Sequence, residues 1–185
     1  MQITETLYVW KRGDWRRWLS KNHKTKREIW LIFYKKASNK PRISYDDAVE
    51  EALCFGWIDS TVKKVDEESF AQRFTPRNPK SGLSETNKER MRRLIKQKKM
   101  TKAGLLAVAA VFNHKTDDYA LPQDILEELK KDPIVWRNFQ NFPAHYQKIR
   151  IGFIEGARNR PEMFRRRLSY FIKMTKLNKK FGMVQ

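Results

Sequence analysis

The chain has 185 residues, with 40 lysines and arginines against 21 aspartates and glutamates, and its formal net charge is +19. Aromatic residues make up 12% of the chain, which is enough to build a hydrophobic core, so the composition excludes a disordered tail. The longest apolar run, residues 105–112, is far shorter than the roughly 20 residues that a membrane span needs. We therefore expect a folded, strongly basic protein without a membrane span, and a basic protein attracts acidic partners.

Cysteine content and the first residues bear on the cellular compartment. Cys54 is the single cysteine, so no internal disulfide can form. Its neighbours are apolar, which predicts a buried and inert thiol. The chain does not open with a basic start followed by an apolar stretch, as a secretory signal would. These features predict a cytoplasmic location.

The first third of the chain alternates between strand and helix patterns. Residues 4–10 are predicted as a short strand, and Asp14 is predicted to cap a helix. The β-rich run of residues 28–36 has the pattern of a buried central strand. Ser44 is predicted to cap a second helix that ends at Gly56, where a positive φ costs glycine little.

A hairpin and basic helices follow. Residues 57–65 and 69–76 have the pattern of two paired strands, with Ser60 roughly opposite Arg73. Ser84 or Thr86 is predicted to cap the next helix, and Thr101 to cap a helix that continues to Phe112.

The remainder of the chain has helical patterns only. Residues 113–121 are the best linker candidate, and Asp132 is predicted to cap a helix that has a proline in its first turn. First-turn positions are also predicted for three other prolines: Pro122, Pro143 and Pro161. We therefore predict an α+β fold, with a small β-sheet and helices in residues 1–115 and a helical part in residues 116–185.

Several strings of the sequence carry a family resemblance: residues 28–36, 48–59, 73–81, 87–90 and 100–104 in the first part, and residues 142–146 and 149–157 in the second. They resemble the bacterial YdeI/OmpD-associated family, whose members are often labelled bacteriocin-protection proteins. Leu83 and Phe153 stand where the family usually has tryptophan. The resemblance implies a bacteriocin-protection-like protein of unassigned biochemistry.

One polar segment, residues 59–87, is the candidate ligand site. Arg73 and Arg77 are four residues apart, so an extended strand directs both to one face, and two guanidinium groups suit a phosphate or carboxylate. The predicted ligand-binding residues are Asp59, Arg73, Thr75, Arg77, Lys80, Ser81, Ser84 and Asn87. The alternative is structural: Arg73 pairs with Asp59 in the hairpin, while Ser84 and Asn87 cap a helix. The predicted partner is an acidic small molecule or an acidic macromolecule.

Two other functions are considered. The first is non-specific binding of nucleic acid by one basic helix, through Arg90, Arg92, Arg93, Lys96, Lys98 and Lys99. The second is an unrecognised enzyme that uses Asp59 as a base, although no catalytic motif supports it and we assign no catalytic residue. His23, His114 and His145 are too far apart to form a metal site, and we predict neither a metal nor a cofactor. The patterns do not indicate an oligomeric state.

Overall fold

The structure is a computed structural model and describes residues 2–113 and 120–182. Strands lie in the N-terminal half and helices predominate toward the C-terminus, which confirms the predicted α+β class. In chain order the elements are β1 (Thr6–Leu7), α1 (Arg12–Asn22), β2 (Ile29–Tyr34), a 3₁₀ turn (Lys36–Ser38), α2 (Tyr45–Cys54), β3 (Trp57–Lys64), β4 (Ser69–Pro76), α3 (Glu85–Lys96), α4 (Lys102–Leu106), α5 (Gln123–Lys130), α6 (Pro133–Asn141), α7 (Ala144–Glu155) and α8 (Pro161–Lys176).

The four strands form one mixed sheet in the order β1-β2-β4-β3. β1 runs parallel to β2, whereas β4 is antiparallel to both of its neighbours. β2 is therefore an interior strand, as predicted, and Ile29 and Leu31 are fully buried. The predicted hairpin is confirmed, with Asp59 opposite Phe74 and a register shift between Asp59 and Val62.

Two predictions for the first residues are wrong in extent. β1 contains two residues instead of seven, because only Thr6 and Leu7 pair with β2. α1 begins at Arg12 with Lys11 at its N-cap, so Asp14 lies in the first turn and does not cap the helix. An acidic residue in the first turn still interacts favourably with the helix dipole.

The side-chain caps predicted at Ser44 and Asp132 are confirmed, whereas Pro122 and Pro143 lie at N-cap positions and not in the first helical turns predicted for them. The Ser44 hydroxyl accepts a hydrogen bond from the Asp47 backbone N–H at 3.0 Å. Asp132 accepts one from the N–H of Ile134 at 2.9 Å, with Pro133 in the first helical turn. Such caps satisfy donors that the first helical turn leaves unpaired.

The predicted helix from Thr101 to Phe112 is much shorter in the structure. α4 ends at Leu106, and turns follow it. Gly104 lies so close to the Cys54 carbonyl oxygen that a Cβ would not fit there. The Thr101 hydroxyl donates to the same carbonyl at 2.6 Å. The start of α4 is thus packed against the end of α2.

The chain forms two compact units. The first contains residues 1–82 and 90–113, and the second contains residues 83–89 and 114–185. The predicted boundary at residues 115 and 116 lies outside the described residues. No local pattern in residues 83–89 indicates that they belong with the second unit.

Each unit has its own hydrophobic core. In the first unit the core includes Trp15, Trp30, Trp57 and Phe74, which are all less than 2% exposed. In the second unit the core is formed by Ile125, Leu129, Val135, Phe139, Phe142, Tyr146, Ile151, Ile154 and Phe171. Because burial of apolar side chains is the main favourable term in folding, each core stabilises its own unit.

Candidate functional site

Arg73, the central residue of the predicted ligand site, is paired with an acid. Its Nε and Nη2 atoms donate to the Glu28 carboxylate at 2.8 and 2.5 Å. The structural alternative predicted Asp59 as this partner, and the structure places Glu28 there instead. Hydrogen bonds from Thr4 and Arg73 lower the pKa of Glu28 below its usual value. The Arg73 charge is therefore largely neutralised within the protein.

Asp59 is engaged by a different residue. The Tyr45 hydroxyl donates to its Oδ2 atom at 2.7 Å, which joins α2 to β3. Burial and this hydrogen bond raise the pKa of Tyr45. A base role for Asp59 stays a prediction, with one of its oxygens already bound by a tyrosine.

Arg77 is buried and shapes the loop that follows β4. Its Nη2 atom donates to the backbone carbonyl oxygens of Ser81 and Gly82, the second at 2.9 Å. Its Nε atom is buried without a hydrogen-bond partner, and burial lowers its pKa. These hydrogen bonds fix the conformation of the loop around Ser81 and Gly82.

The other predicted site residues are divided between the two units. Thr75 is half-buried opposite Ile58 in the sheet, and Lys80 is exposed. Ser84 and Asn87 belong to the second unit, where the Ser84 hydroxyl accepts from the Asn87 backbone N–H at 3.3 Å. Ligand binding by this set of residues stays a prediction.

The basic helix α3 uses part of its charge in ion pairs. Arg90 pairs with Asp46, and Arg93 pairs with Glu50. The Arg92 guanidinium lies over the Phe112 ring at 5.7 Å from its centre. The remaining three positions of the predicted set, Lys96, Lys98 and Lys99, are exposed. α3 ends at Lys96, so the prediction that one helix carries all six is wrong for Lys98 and Lys99. Nucleic-acid binding stays a prediction that depends mainly on these lysines.

The described residues contain neither a metal-binding cluster nor a membrane-crossing helix. Within residues 2–113 and 120–182, no group of three or more histidine, cysteine, aspartate or glutamate side chains is placed to hold a metal ion. In the same ranges, no helix combines the length and the apolar character that a membrane crossing requires. Cys54 is buried, and burial together with the Glu51 charge raises its thiol pKa to about 11, so it is inert at neutral pH.

The second unit contains a cavity of about 370 Å³ between α7 and α8. Pockets of this size hold small molecules. Three arginines and six apolar or aromatic residues line it: Arg150, Arg166, Arg167, Phe153, Ile154, Met163, Tyr170, Phe171 and Phe181. No lining residue is acidic, so the walls combine positive charge with apolar surface. We call this space the arginine cavity.

Arg150 is the most unusual residue of the arginine cavity. It is only 9% exposed, and its Nε atom is buried without a hydrogen-bond partner. Its guanidinium lies between 5.0 and 5.9 Å from the ring centres of Phe181, Phe153 and Tyr146. Burial lowers its pKa, and no acidic side chain among the described residues opposes that effect. Aromatic rings therefore provide its favourable electrostatic contacts.

Arg167 forms one wall of the cavity and is held in place. Its guanidinium lies 3.7 Å from the centre of the Phe153 ring, and its Nη1 atom donates to the Phe153 carbonyl oxygen at 2.5 Å. Burial and the nearby charge of Arg160 lower its pKa. Arg160 and Arg167 thus place two positive charges near each other beside the arginine cavity.

Sequence reasoning missed this site. Tyr146, Arg150 and Ile154 are spaced four residues apart, so a helix places all three on one face. A lone arginine on an otherwise apolar helix face was the available signal. The run of residues 165–167 is distributed around α8, and only the packing of α7 against α8 brings two of its members to the cavity.

Family comparisons divide the chain in a similar way. Residues 7–107, more than half of the chain, match a family described as a domain of unknown function (DUF8412). Residues 118–178 match the family described as bacteriocin-protection, YdeI or OmpD-associated. Comparisons with curated proteins and with solved structures find no match.

The class defined by these matches is a two-part α+β protein with a family domain in each part. The chain belongs to the DUF8412 family, whose model matches residues 7–107, and its second part contains a match to the YdeI/OmpD-associated family. The match at residues 118–178 confirms the predicted resemblance to the YdeI/OmpD-associated family. The strings at residues 48–59 and 73–81 lie within the other match. The match at residues 118–178 suggests a bacteriocin-protection-like protein.

Proposed function

We propose that this protein binds a small anionic ligand in the arginine cavity of its YdeI/OmpD-associated domain. The proposal keeps the class of ligand predicted from the sequence and moves its location. The observation that carries it is Arg150, a guanidinium nine-tenths buried beside a cavity without an acidic partner among the described residues.

The energetic reason is the cost of an unpaired charge. Removing a charged group from water is expensive, and buried charges in proteins are ordinarily paired or fully hydrogen-bonded. The three rings near Arg150 compensate only in part, since each cation–π contact contributes about 0.5–2 kcal/mol. A ligand carboxylate or phosphate would give the buried guanidinium the partner that it lacks.

The surroundings favour an anion over other ligands. Arg166 and Arg167 line the same cavity, so three positive side chains act on its contents. Because no acidic side chain lines the cavity, an anion placed there meets no direct repulsion from its walls. In the predicted hairpin site, by contrast, Arg73 already holds Glu28.

Calorimetric titration of the full chain with benzoate and with inorganic phosphate tests the proposal. We expect at least one of the two to bind, and Arg150→Met to weaken that binding by tenfold or more. Arg165→Met is the matched control, because Arg165 is exposed on α8, the other helix that borders the cavity, and does not line the cavity. It should leave the affinity within about twofold of the wild-type value.

A further variant separates the two locations. Lys80→Met removes an exposed charge from the predicted hairpin site. If Lys80→Met abolishes binding while Arg150→Met does not, the anion site lies in the first unit and the proposal is wrong. If neither anion binds to the wild-type chain, the arginine cavity has no anion-binding role of this kind.

A further inference from the structure

The arginine cavity is more apolar than binding of a simple anion requires. Six of its nine lining residues are aromatic or aliphatic. A small inorganic anion would leave these walls in contact with water, which gives no binding energy. An apolar group on the ligand would instead cover them and contribute in proportion to the area buried.

Apolar side chains at this place are also unusually exposed. Phe153 is 47% exposed, Met163 37% and Tyr170 49%, and all three line the cavity. Scattered exposed apolar residues are normal, but a group of them around one cavity indicates a binding surface. The exposed fraction shows how much apolar surface a ligand could cover.

A second cavity adjoins the first. It also has a volume of about 370 Å³, and it shares Met163 and Arg166 with the arginine cavity. Its other lining residues are Arg160, Pro161 and Glu162. All five residues that line the second cavity are exposed, so it is open to solvent and lies beside the arginine cavity at the start of α8.

The charges of the two cavities indicate which end of a ligand each cavity would hold. The arginine cavity has three arginines and no acid, whereas the second cavity contains the Glu162 carboxylate. An acidic head group is favoured beside Arg150 and disfavoured beside Glu162. The hydrocarbon part is then left for the side of Met163 and Pro161, where the aliphatic stems of Arg160 and Arg166 add apolar surface.

We infer that the ligand is a single-chain amphiphilic anion, with a carboxylate or phosphate head beside Arg150 and an alkyl chain that passes Met163 into the second cavity. This inference rests on the proposed anion-binding function and specifies its ligand class. It treats the two cavities as one elongated site.

A chain-length series tests the inference. We expect the affinity of the full chain for acetate, hexanoate, octanoate and decanoate, below micelle-forming concentrations, to rise by about fourfold for each added methylene group between hexanoate and decanoate. Decyl phosphate should bind as well, since guanidinium groups recognise both head groups. Arg150→Met should weaken decanoate binding by tenfold or more.

Two matched variants locate the alkyl chain. Met163→Ser should reduce the affinity for decanoate by fivefold or more and that for hexanoate by less than twofold. Ile134→Ser is the control, because Ile134 is similarly exposed in the same unit and lines neither cavity. It should change neither affinity.

The outcomes separate the inference from the proposed function. If benzoate or phosphate binds through Arg150 and decanoate binds no more tightly than acetate, the protein is an anion binder and the amphiphile inference is wrong. If decanoate binds equally well to Arg150→Met, the head group does not lie beside Arg150, and both proposals fail for this cavity. If affinity rises with chain length but Met163→Ser has no effect, the two cavities do not form one site.

Discussion

The two units of the protein differ in how their arginines are partnered. In the first unit Arg12 and Arg16 both donate to Glu51, at 2.5 and 2.6 Å, and Arg73 pairs with Glu28. Arg77 of the same unit is buried without an acid, but carbonyl oxygens of its own loop accept from it. In the second unit Arg150 is buried among aromatic rings, with no acidic partner among the described residues. Paired arginines stabilise a fold, whereas an unpaired buried arginine beside a cavity is available to a ligand. The partner of each arginine, and not the number of arginines, indicates whether that arginine stabilises the fold or is available to bind a ligand.

The largest effect is expected where the arginines of the first unit meet their acid. Glu51 is 2% exposed and accepts from two guanidinium groups. Glu51→Ala should lower the free energy of unfolding by roughly 3 kcal/mol, because two charge-assisted hydrogen bonds to a buried carboxylate are lost. Arg12 keeps Asp47 and Glu50 as partners, whereas Arg16 loses its acid. Denaturant unfolding measures the change. Glu127→Ala, at an exposed acid of the second unit, is the control, and an equally small change in both variants would show that Glu51 does not stabilise the fold.

A matched pair of substitutions tests the comparison directly. Arg73→Met should lower the free energy of unfolding by about 1 kcal/mol, since Glu28 loses a charged hydrogen-bond donor. Arg150→Met should raise it by about 1 kcal/mol, because an unpaired buried charge is replaced by an apolar side chain of similar length. Opposite signs in denaturant unfolding would support the distinction. A loss of several kcal/mol in Arg150→Met would instead make Arg150 a structural residue.

The smallest effect is expected in the pH dependence of stability. The folded-state pKa of Glu28 is lowered by Thr4 and Arg73, so its contribution is present above the ordinary value of 4.5. That contribution is lost as the pH falls through the lowered pKa. The difference in melting temperature between wild type and Glu28→Gln should therefore be largest near pH 7 and should vanish in strong acid.

Arg150 provides the contrast for this measurement. A guanidinium remains charged throughout the acid range, so the difference between wild type and Arg150→Met should not follow the titration of Glu28. Melting curves of the three proteins between pH 7 and pH 3 test both statements. A Glu28→Gln difference that grows toward low pH would contradict the assigned ion pair.

Local sequence signals predicted most of the fold. Ser44 and Asp132 cap their helices as expected, and the strands of the hairpin pair near the predicted register. These features depend on residues a few positions apart, whose preferences act over one turn or one strand pair. The helix predicted from Thr101 to Phe112 was too long, because the contact of Gly104 with the end of α2 is not visible in local patterning.

The candidate site could not be predicted to the same extent. Arg73 and Arg77 have a spacing typical of a convergent anion site, yet Glu28, 45 residues away, binds the first, and loop carbonyls bind the second. Both partners, Glu28 and the loop carbonyls, are present in the sequence, but local patterns do not predict which arginine binds to which of them. Arg150 carried only the weak signal of a charge on an apolar helix face.

By itself, the sequence determined the α+β class, the caps at Ser44 and Asp132, the central strand, the family resemblance of residues 118–178 and the strong positive charge. These follow from composition, periodicity and short-range chemistry, which are properties of the chain before it folds. Only the tertiary structure decided which arginines are neutralised by acidic side chains and which of them line a cavity. That difference depends on contacts between residues far apart in the chain, because charge neutralisation is set by distances of a few ångströms in the folded protein.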